Sequence, residues 1–438
     1  MRSIFPALLW IGTYLALVLA PLLILLLGPR PPGGGFVWDL AMAAGFSAIA
    51  MFGIQFVLTA RFRRAAAPFG IDILYYFHRY MAVFALALVC AHYAIIRAVN
   101  PDALGSLNPL TASGHMTAGR AALLCLVLVI VSSLWRKPLR IPYEGWRRGH
   151  VVLTTAGLIL AAVHIEGVDY YIDAPGRRPF WMAFVACWLL LVVYVRLIKP
   201  WRMRRRPYRV LVVRNEAATT STLVVQPMGH AGLQFQPGQF VWLTLRASPF
   251  ALREHPFSIS SSAESPQRLE FTIKGLGDFT RTVPSIRPGE TAYLDGPYGA
   301  FSVDRHVAPG FVFIAGGVGI APIMSMLRTL ADRQDKRPLL LLYANNREEG
   351  ILFRDALAAL SSRLTLQVTH VLQQPTAGWS GECGLVTQAL LEKTLPANRN
   401  QLEYFLCGPK PMTQCAEVFL HALQVPLVRV HSELFDLV

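Results

Sequence analysis

Four histidines within two apolar segments have a type and a spacing that could support redox or proton chemistry. They form two sets whose members are 14 residues apart: His78 with His92, and His150 with His164. Fourteen residues of α-helix are roughly 21 Å long and nearly complete four turns. Each set is therefore predicted to lie along one face of a helix, with one imidazole near each side of a bilayer.

The two sets also match each other by depth if their helices run in the same direction. His78 would then lie level with His150 near the cytoplasm, and His92 level with His164 near the outside. Two imidazoles at one depth can hold a haem iron axially from both sides. The sequence therefore predicts two stacked bis-histidine haem sites. Zinc binding or a proton relay is the alternative for all four, and a hydrogen bond to a neighbouring helix is the alternative for any single histidine.

Short motifs in the second half of the chain predict a flavin site. A flavin needs an aromatic surface, a hydrogen bond at its reactive edge and donors for its pyrophosphate. Phe257 and Ser258 could supply the first two, and His255 with the backbone of residues 277–280 could supply the third. In chain order the motifs are Pro237-Gly238-Gln239-Phe240, His255-Pro256-Phe257-Ser258-Ile259-Ser260, Lys274-Gly275-Leu276-Gly277-Asp278-Phe279-Thr280 and Asp295-Gly296-Pro297-Tyr298-Gly299.

A later glycine run predicts a nicotinamide dinucleotide site. Gly316, Gly317 and Gly319 follow a predicted strand and open a predicted helix that contains Pro322. Such glycines let a phosphate approach backbone amides at a helix N-terminus. Further on, Arg347 could bind a 2′-phosphate and favour NADPH over NADH, or could simply begin a helix next to two glutamates. The last motifs are Cys407-Gly408-Pro409 and Glu433-Leu434-Phe435.

With these motifs in this order, the second half resembles the ferredoxin-NADP reductase superfamily. The whole chain resembles the ferric reductase and NADPH oxidase family of membrane flavocytochromes. The resemblance implies that the four histidines bind two b-type haems, that Cys407 lies near the nicotinamide, and that Phe435 covers the flavin ring. Ser258, Cys407 and Phe435 form the predicted catalytic set. The predicted cofactor-binding residues are His255, Pro256, Phe257, Ser258, Lys274, Gly277, Thr280, Gly316, Gly317, Gly319, Pro322, Arg347, Cys407, Gly408, Pro409 and Phe435.

Two features depart from the pattern of these families. His255, Phe257 and Ser258 stand where soluble reductases have Arg-x-Tyr-Ser, which favours the membrane branch. Family members often end at or near the stacking aromatic residue, whereas three residues follow Phe435 here.

Six apolar segments are predicted to span a membrane: 7–27, 39–59, 74–96, 119–135, 150–167 and 181–198. Basic residues concentrate after the second, fourth and sixth segments, which predicts that both termini are cytoplasmic. The chain is expected to be a multi-pass protein of the plasma (inner) membrane, in contact with lipid. Arg63 and Arg79 inside, and Arg97 or Arg120 outside, could pair with haem propionates or could merely flank the spans.

The rest of the chain alternates between strand and turn signals. Strands at 208–213, 222–226, 240–245, 269–274 and 291–294, separated by Pro/Gly turns, predict a small antiparallel barrel. Strands at 311–315, 339–344, 364–370 and 404–407 alternate with helices and predict a Rossmann-like parallel sheet. Three domains are expected: a six-helix transmembrane di-haem domain at 1–200, an FAD-binding β-barrel at 201–306 and an NAD(P)-binding α/β domain at 307–438.

Composition narrows the function classes. The net charge is +15 and hydrophobic residues make up 54% of the chain. The basic residues cluster between apolar segments, which is typical of membrane topology and not of nucleic-acid binding. The six cysteines form no Cys-x-x-Cys motif, so neither a zinc ribbon, a disulfide framework nor covalent haem attachment is indicated.

The order of these parts predicts a route for electrons. NADPH or NADH would reduce FAD in the cytosol, and single electrons would then pass through the inner and outer haems to a small acceptor outside. Ferric chelate and oxygen both fit, with a lean towards ferric iron because no regulatory addition such as a calcium-binding hand is evident. Two other classes stay open: a module that feeds a partner protein, which no motif indicates, and a transporter, which would make the flavin motifs accidental.

Overall fold

The computed structural model describes residues 4–26, 34–62, 71–173, 175–217 and 219–433. The chain divides into two compact units between Trp201 and Arg202. The first unit is helical, and the second contains two β-sheets.

The first unit consists of long apolar helices. They are α1 (Ile4–Leu26), α2 (Gly35–Thr59), α3 (Ile71–Val99), α4 (Gly114–Leu134), α5 (Tyr143–Val168) and α6 (Arg177–Val193), and α6 continues through a π-turn (Tyr194–Ile198) into α7 (Lys199–Arg204). Five helical runs, namely α2, α3, α4, α5 and the continuous run from α6 to α7, are long and apolar enough to cross a membrane. The remaining predicted span, α1, qualifies only as a shorter apolar helix at Leu8–Ile24, so the count of six spans stays a prediction.

Helix packing leaves an apolar exterior on this unit. The helix α2 packs along α3, and α4 packs along α5. Trp181 of α6 is fully buried among aromatic neighbours, whereas Leu124, Leu128 and Leu190 are exposed. An exposed apolar surface of this kind is unfavourable in water and favourable in lipid.

The first sheet of the second unit is antiparallel. Its strands are β1 (Tyr208–Ala217), β2 (Thr220–Pro227), β3 (Phe240–Leu245), β4 (Glu254–Ser258), β5 (Leu269–Lys274) and β6 (Thr291–Tyr298), in the order β4-β3-β6-β1-β2-β5. One isolated bridge between Ile259 and Phe271 connects the two ends of this order. Apart from this bridge, closure of the sheet into the predicted barrel stays a prediction. The short helix α8 (Asp278–Thr282) follows β5.

The second sheet is parallel throughout. Its strands are β7 (Phe311–Gly316), β8 (Leu339–Asn345), β9 (Leu366–Leu372), β10 (Glu382–Cys383), β11 (Glu403–Cys407) and β12 (Val430–Glu433), in the order β10-β9-β8-β7-β11-β12. The connecting helices are α9 (Ile320–Asp332), α10 (Arg354–Ser361), α11 (Gln388–Thr394) and α12 (Lys410–Ala422). The strand order reverses between β7 and β11, where ligands bind in open parallel sheets.

Hydrogen bonds join α9 to the segment that follows β4. Ser325 donates to the carbonyl of Ser261 at 2.7 Å, and Arg328 donates to the carbonyl of Ser260 at 2.8 Å. The hydroxyl of Thr329 accepts from the amide of Ala263 at 2.9 Å. The helix opened by the glycine run is therefore attached to the chain directly after the predicted flavin motif.

Candidate cofactor sites

The four histidines line one cavity in the helical unit. His78 and His92 come from α3, and His150 and His164 come from α5. The cavity has a volume of about 400 Å³, within the range of cofactor pockets, and most of its lining is apolar. The helical spacing predicted from the sequence thus brings all four imidazoles to a common space.

The imidazoles of His78 and His150 lie near each other in this space and are called here the first ligand pair, after the haem site that the sequence predicts for them. Their ring centroids are 6.3 Å apart, with an angle of 52° between the planes. A metal bound by two opposed imidazole nitrogens, at about 2 Å from each, separates the ring centroids by roughly 6 Å. The spacing of the first ligand pair therefore fits two imidazoles that would bind one metal ion between them.

The second ligand pair consists of His92 and His164. Nδ1 of His92 lies 2.8 Å from the carbonyl oxygen of Ala41 on α2, and Nδ1 of His164 lies 3.0 Å from the carbonyl oxygen of His115 on α4. A carbonyl oxygen only accepts hydrogen bonds, so each Nδ1 carries the proton. The lone pair of each Nε2 is then available for a metal, which is the usual arrangement of metal-ligating histidines.

The outer nitrogens of the first ligand pair have a different environment. Nδ1 of His150 lies 3.3 Å from the hydroxyl of Ser133 on α4. Ser133 donates its own proton to the carbonyl of Val129 at 2.6 Å, so its oxygen accepts from the imidazole. Within the described part of the chain, Nδ1 of His78 is buried and has no hydrogen-bond partner.

Two glycines allow the second ligand pair to lie close to the neighbouring helices. A Cβ at Gly45 would be 3.0 Å from Nδ1 of His92, and a Cβ at Gly119 would be 2.7 Å from Nδ1 of His164. Sequence reasoning missed both residues. A glycine inside a long helix lowers helix stability by about 1 kcal/mol relative to alanine. The presence of glycine at such positions could therefore have indicated a close contact there.

The donor set fits haem better than zinc. Each ligand pair offers two imidazoles, whereas protein-bound zinc takes three or four protein ligands. Arg120 lines the cavity and donates to the carbonyls of Ser106 and Leu104 at 2.6 Å each. Arg196 also lines the cavity. Of the other arginines proposed for propionates, Arg79 and Arg97 are exposed and Arg63 lies outside the described residues.

The predicted flavin motifs meet at β4. His255 pairs with Leu243 and Ser258 pairs with Phe240 on the neighbouring strand β3, so the motif is itself a strand. The ring of Phe279 stacks on His255, with centroids 3.9 Å apart. Phe279 belongs to one of the predicted motifs, but its contact with His255 joins two separate motifs and no local pattern predicts it.

A tight turn positions Phe279 at the start of α8. The hydroxyl of Thr280 accepts hydrogen bonds from the amides of Leu276 and Gly277, each at 2.9 Å. Lys274 is the last residue of β5 and is exposed. The turn that was predicted to serve the flavin pyrophosphate therefore lies next to the strand that contains the His-Pro-Phe-Ser motif.

The predicted nicotinamide motifs meet where β7 and β11 lie side by side. A Cβ at Gly316 would be 2.7 Å from Cδ of Pro409, and a Cβ at Gly408 would be 3.0 Å from Cα of Gly316. A Cβ at Gly319 would overlap the carbonyl of Cys407. The two motifs thus pack backbone against backbone, which only glycine permits. Pro322 is buried in the first turn of α9.

The remaining predicted residues have distinct surroundings. Cys407 is fully buried, and burial raises the pKa of its thiol well above the usual value, with the Glu433 carboxylate adding to the effect. Any role beside the nicotinamide would therefore be that of a neutral thiol. Arg347 donates through Nε to Oε1 of Gln374 at 3.0 Å. Phe435 lies outside the described residues.

Three family models match the chain in succession. They are described as "Ferric reductase like transmembrane component" at residues 44–162, "FAD-binding domain" at residues 210–302 and "Oxidoreductase NAD-binding domain" at residues 313–417. The first match includes three of the four histidines and the two glycines that lie against His92 and His164, namely Gly45 and Gly119.

Similar proteins include several reductases. NADH-cytochrome b5 reductase 1 of Laccaria bicolor is 35% identical over 177 residues, which are 39% of this chain and 57% of that protein. The reductase subunit of a stachydrine N-demethylase of Rhizobium meliloti is 29% identical over 226 residues, 50% of this chain and 64% of that protein. The match spans less than two thirds of each of these relatives. The FAD/NAD-binding domain of a nitric oxide dioxygenase from Vibrio cholerae is 24% identical with a TM-score of 0.47, covering 52% of this chain and 98% of that domain.

Proposed function

We infer the function from the family to which the chain belongs, that of the ferric reductases and NADPH oxidases, and propose that it is a multi-pass membrane oxidoreductase that moves electrons from NAD(P)H across a membrane. The observation that supports this most is the shared cavity of four histidines, arranged as two ligand pairs. It occurs in the same chain as FAD-binding and NAD-binding domains.

The cofactors would supply the electron chemistry: FAD converts a hydride into single electrons, and two b-type haems relay them. The protein's own groups hold and orient these cofactors. The first and second ligand pairs would each present two Nε2 lone pairs to an iron, while Nδ1 of His92 and of His164 is kept protonated by a backbone carbonyl. The apolar lining of the cavity excludes water from this route.

In the second unit, we propose that the glycine run and the Cys407–Pro409 segment hold the dinucleotide. Gly316 and Gly408 bring two backbone segments into contact with each other, and a Cβ at Gly317 would have no atom within 4 Å, which leaves room for a pyrophosphate to approach the backbone there. Ser258 would donate to the reactive edge of the flavin and Phe257 would supply an aromatic surface, while His255, which stacks on Phe279, and the backbone of residues 277–280 would bind the pyrophosphate. Phe435 would cover the ring, as the family resemblance implies.

We propose ferric chelate as the acceptor and keep oxygen as the alternative on the same scaffold. Both termini would be cytoplasmic in a plasma (inner) membrane, because basic residues concentrate after the second, fourth and sixth apolar segments. A second candidate function is delivery of electrons to a partner protein. It is favoured by relatives whose names describe reductase components of larger systems, such as the stachydrine N-demethylase subunit.

The test uses the purified full chain in lipid nanodiscs. NADPH or NADH is added anaerobically while haem absorbance is followed, and Fe(III)-EDTA reduction and superoxide formation are then measured. Six-coordinate low-spin haem that is reduced by the nucleotide and reoxidised by iron supports the proposal. If the purified chain shows no bis-histidine haem spectrum, the proposal is refuted. If the haem is reduced but neither iron nor oxygen is turned over, delivery of electrons to a partner protein is favoured.

A matched pair of variants tests the second ligand pair. His164→Ala should remove one haem and leave flavin reduction by NAD(P)H intact, because the residues proposed to bind the nucleotide belong to the other unit. His115→Ala is the control, since it removes a neighbouring imidazole but keeps the carbonyl that holds His164. Retention of both haems in His164→Ala would show that the ligand assignment is wrong.

A further inference from the structure

The two helical hairpins that bear the histidines repeat one local arrangement. In α2–α3, the carbonyl of Ala41 binds His92, and Gly45, four residues later, lies against the same ring. In α4–α5, the carbonyl of His115 binds His164, and Gly119, again four residues later, lies against that ring. The two hairpins therefore hold the second ligand pair by equivalent contacts.

The repeat extends to the first ligand pair. Fourteen residues after Gly45 the chain reaches Thr59, and fourteen residues after Gly119 it reaches Ser133. Fourteen residues is also the spacing of the histidines on α3 and α5. Both positions bear a hydroxyl at the depth where the first ligand pair lies, because equal steps along packed helices cover equal distances.

The two hydroxyls have the same hydrogen-bond donor role. Thr59 donates to the carbonyl of Gln55 at 3.1 Å, and Ser133 donates to the carbonyl of Val129 at 2.6 Å, each four residues back. A hydroxyl whose proton is engaged in this way offers only its lone pairs to other groups. Thr59 and Ser133 can therefore act as acceptors within the bundle.

Ser133 already accepts from an imidazole, whereas the equivalent contact of Thr59 is not formed. The Ser133 hydroxyl lies 3.3 Å from Nδ1 of His150 and also accepts from Nε1 of Trp146 at 3.3 Å. Thr59 lines the cavity that contains His78. Among the described residues, the buried Nδ1 of His78 has no partner, and a buried polar atom without a hydrogen bond is unfavourable in either tautomer.

We propose that Ser133 and Thr59 are equivalent positioning residues, which accept hydrogen bonds from Nδ1 of His150 and of His78 when the first ligand pair holds its haem. This inference rests on the proposed function. The hydrogen bonds would keep each Nδ1 protonated and each Nε2 directed at the iron. They would also strengthen electron donation by the two imidazoles.

The redox consequence has a definite sign. An acceptor on Nδ1–H makes an imidazole a stronger donor, which stabilises ferric over ferrous haem and lowers the midpoint potential. Loss of a hydroxyl acceptor should therefore raise the potential of the haem at the first ligand pair. The haem at the second ligand pair should not change, because its imidazoles bind backbone carbonyls that side-chain substitutions leave in place.

The test is a redox titration of the haem-loaded full chain, followed by absorbance and by EPR. Ser133→Ala should shift one haem to a more positive midpoint potential and alter its EPR g-values, and Ser133→Thr should restore both. Ser132→Ala is the matched control, because Ser132 donates to the same carbonyl of Val129 at 3.1 Å but has no bond to His150. In the other hairpin, Thr59→Val should shift the same haem, and Thr59→Ser should not.

The outcomes separate this inference from the function on which it rests. A wild-type chain without bis-histidine haem would overturn the proposed function. Normal haem spectra, with a potential that Ser133→Ala leaves unchanged or that Ser132→Ala shifts equally, would overturn the positioning role alone. If Ser133→Ala fails to retain haem, Thr59→Val is compared with Thr59→Ser instead. An unchanged midpoint potential in Thr59→Val, or an equal shift in both variants, would then overturn the positioning role.

Discussion

Replacement of Gly119 by alanine would disturb one proposed haem ligand without altering its side chain. A Cβ at this position would lie 2.7 Å from Nδ1 and 2.9 Å from Cγ of His164. Non-bonded atoms prefer a separation of about 3.5 Å, so the imidazole would have to retreat by about 0.8 Å. That movement would lengthen the 3.0 Å hydrogen bond to the carbonyl of His115 and turn Nε2 away from its partner across the cavity.

The expected result of Gly119→Ala is loss of one haem, together with a loss of stability of about 1–3 kcal/mol from overpacking. The measurement is the haem-to-FAD ratio, from pyridine haemochromogen and flavin absorbance, alongside the melting temperature. Gly157→Ala is the matched control, because it lines the same cavity but its Cβ would be 3.5 Å from Cβ of Cys125, an ordinary contact. It should keep both haems and gain up to about 1 kcal/mol of helix stability.

Two results would refute this reasoning. If Gly119→Ala keeps both haems with unchanged EPR spectra, His164 is not a haem ligand held against Gly119. If the two alanine variants lose haem equally, the effect is general damage to the bundle. Gly45→Ala should give a milder version of the Gly119→Ala result, since its Cβ would be 3.0 Å from Nδ1 of His92.

Three further predictions concern the second unit. Gly316→Ala should weaken NAD(P)H binding, measured as an increase in KM, because its Cβ would press on Cδ of Pro409 at 2.7 Å. Gly350→Ala should not, because the nearest atom to its Cβ would be Oδ1 of Asn345 at 3.8 Å, and equal effects of the two variants would contradict the packing argument. Burial lowers the pKa of His306 and of His431 from 6.5 to about 4, so the folded state should lose stability as the pH falls from about 6.5 towards 4, where the unfolded chain binds protons first. Replacement of both His306 and His431 by glutamine should make the melting temperature less dependent on pH over this range. If the double variant has the same pH profile as the wild type, these two histidines are not the cause of the pH dependence. Cys407 should resist iodoacetamide in the native chain, as measured by peptide mass spectrometry, while labelling should be rapid at the exposed Cys383 and Cys415.

Several elements were predictable because their signals are local. The placement of each histidine set along one helix follows from the 14-residue spacing and the helical repeat. The strands β3 and β5 have the predicted bounds because each is a compact run of β-forming residues. Other elements were missed because their pairing is not local. The strand β4 contains a proline and reads as a turn, and β12 is a short strand that forms only alongside β11.

The sequence by itself determined which residues could bind cofactors and in what order they occur, since helical periodicity and motif spacing are properties of neighbouring residues. Only the tertiary structure decided what holds the proposed ligands in place. The carbonyls that bind His92 and His164 belong to residues that lie 51 and 49 positions earlier in the chain, on other helices. The glycines beside these histidines contact them only once those helices pack. No local pattern specifies such a contact, because it depends on which faces of separate helices meet.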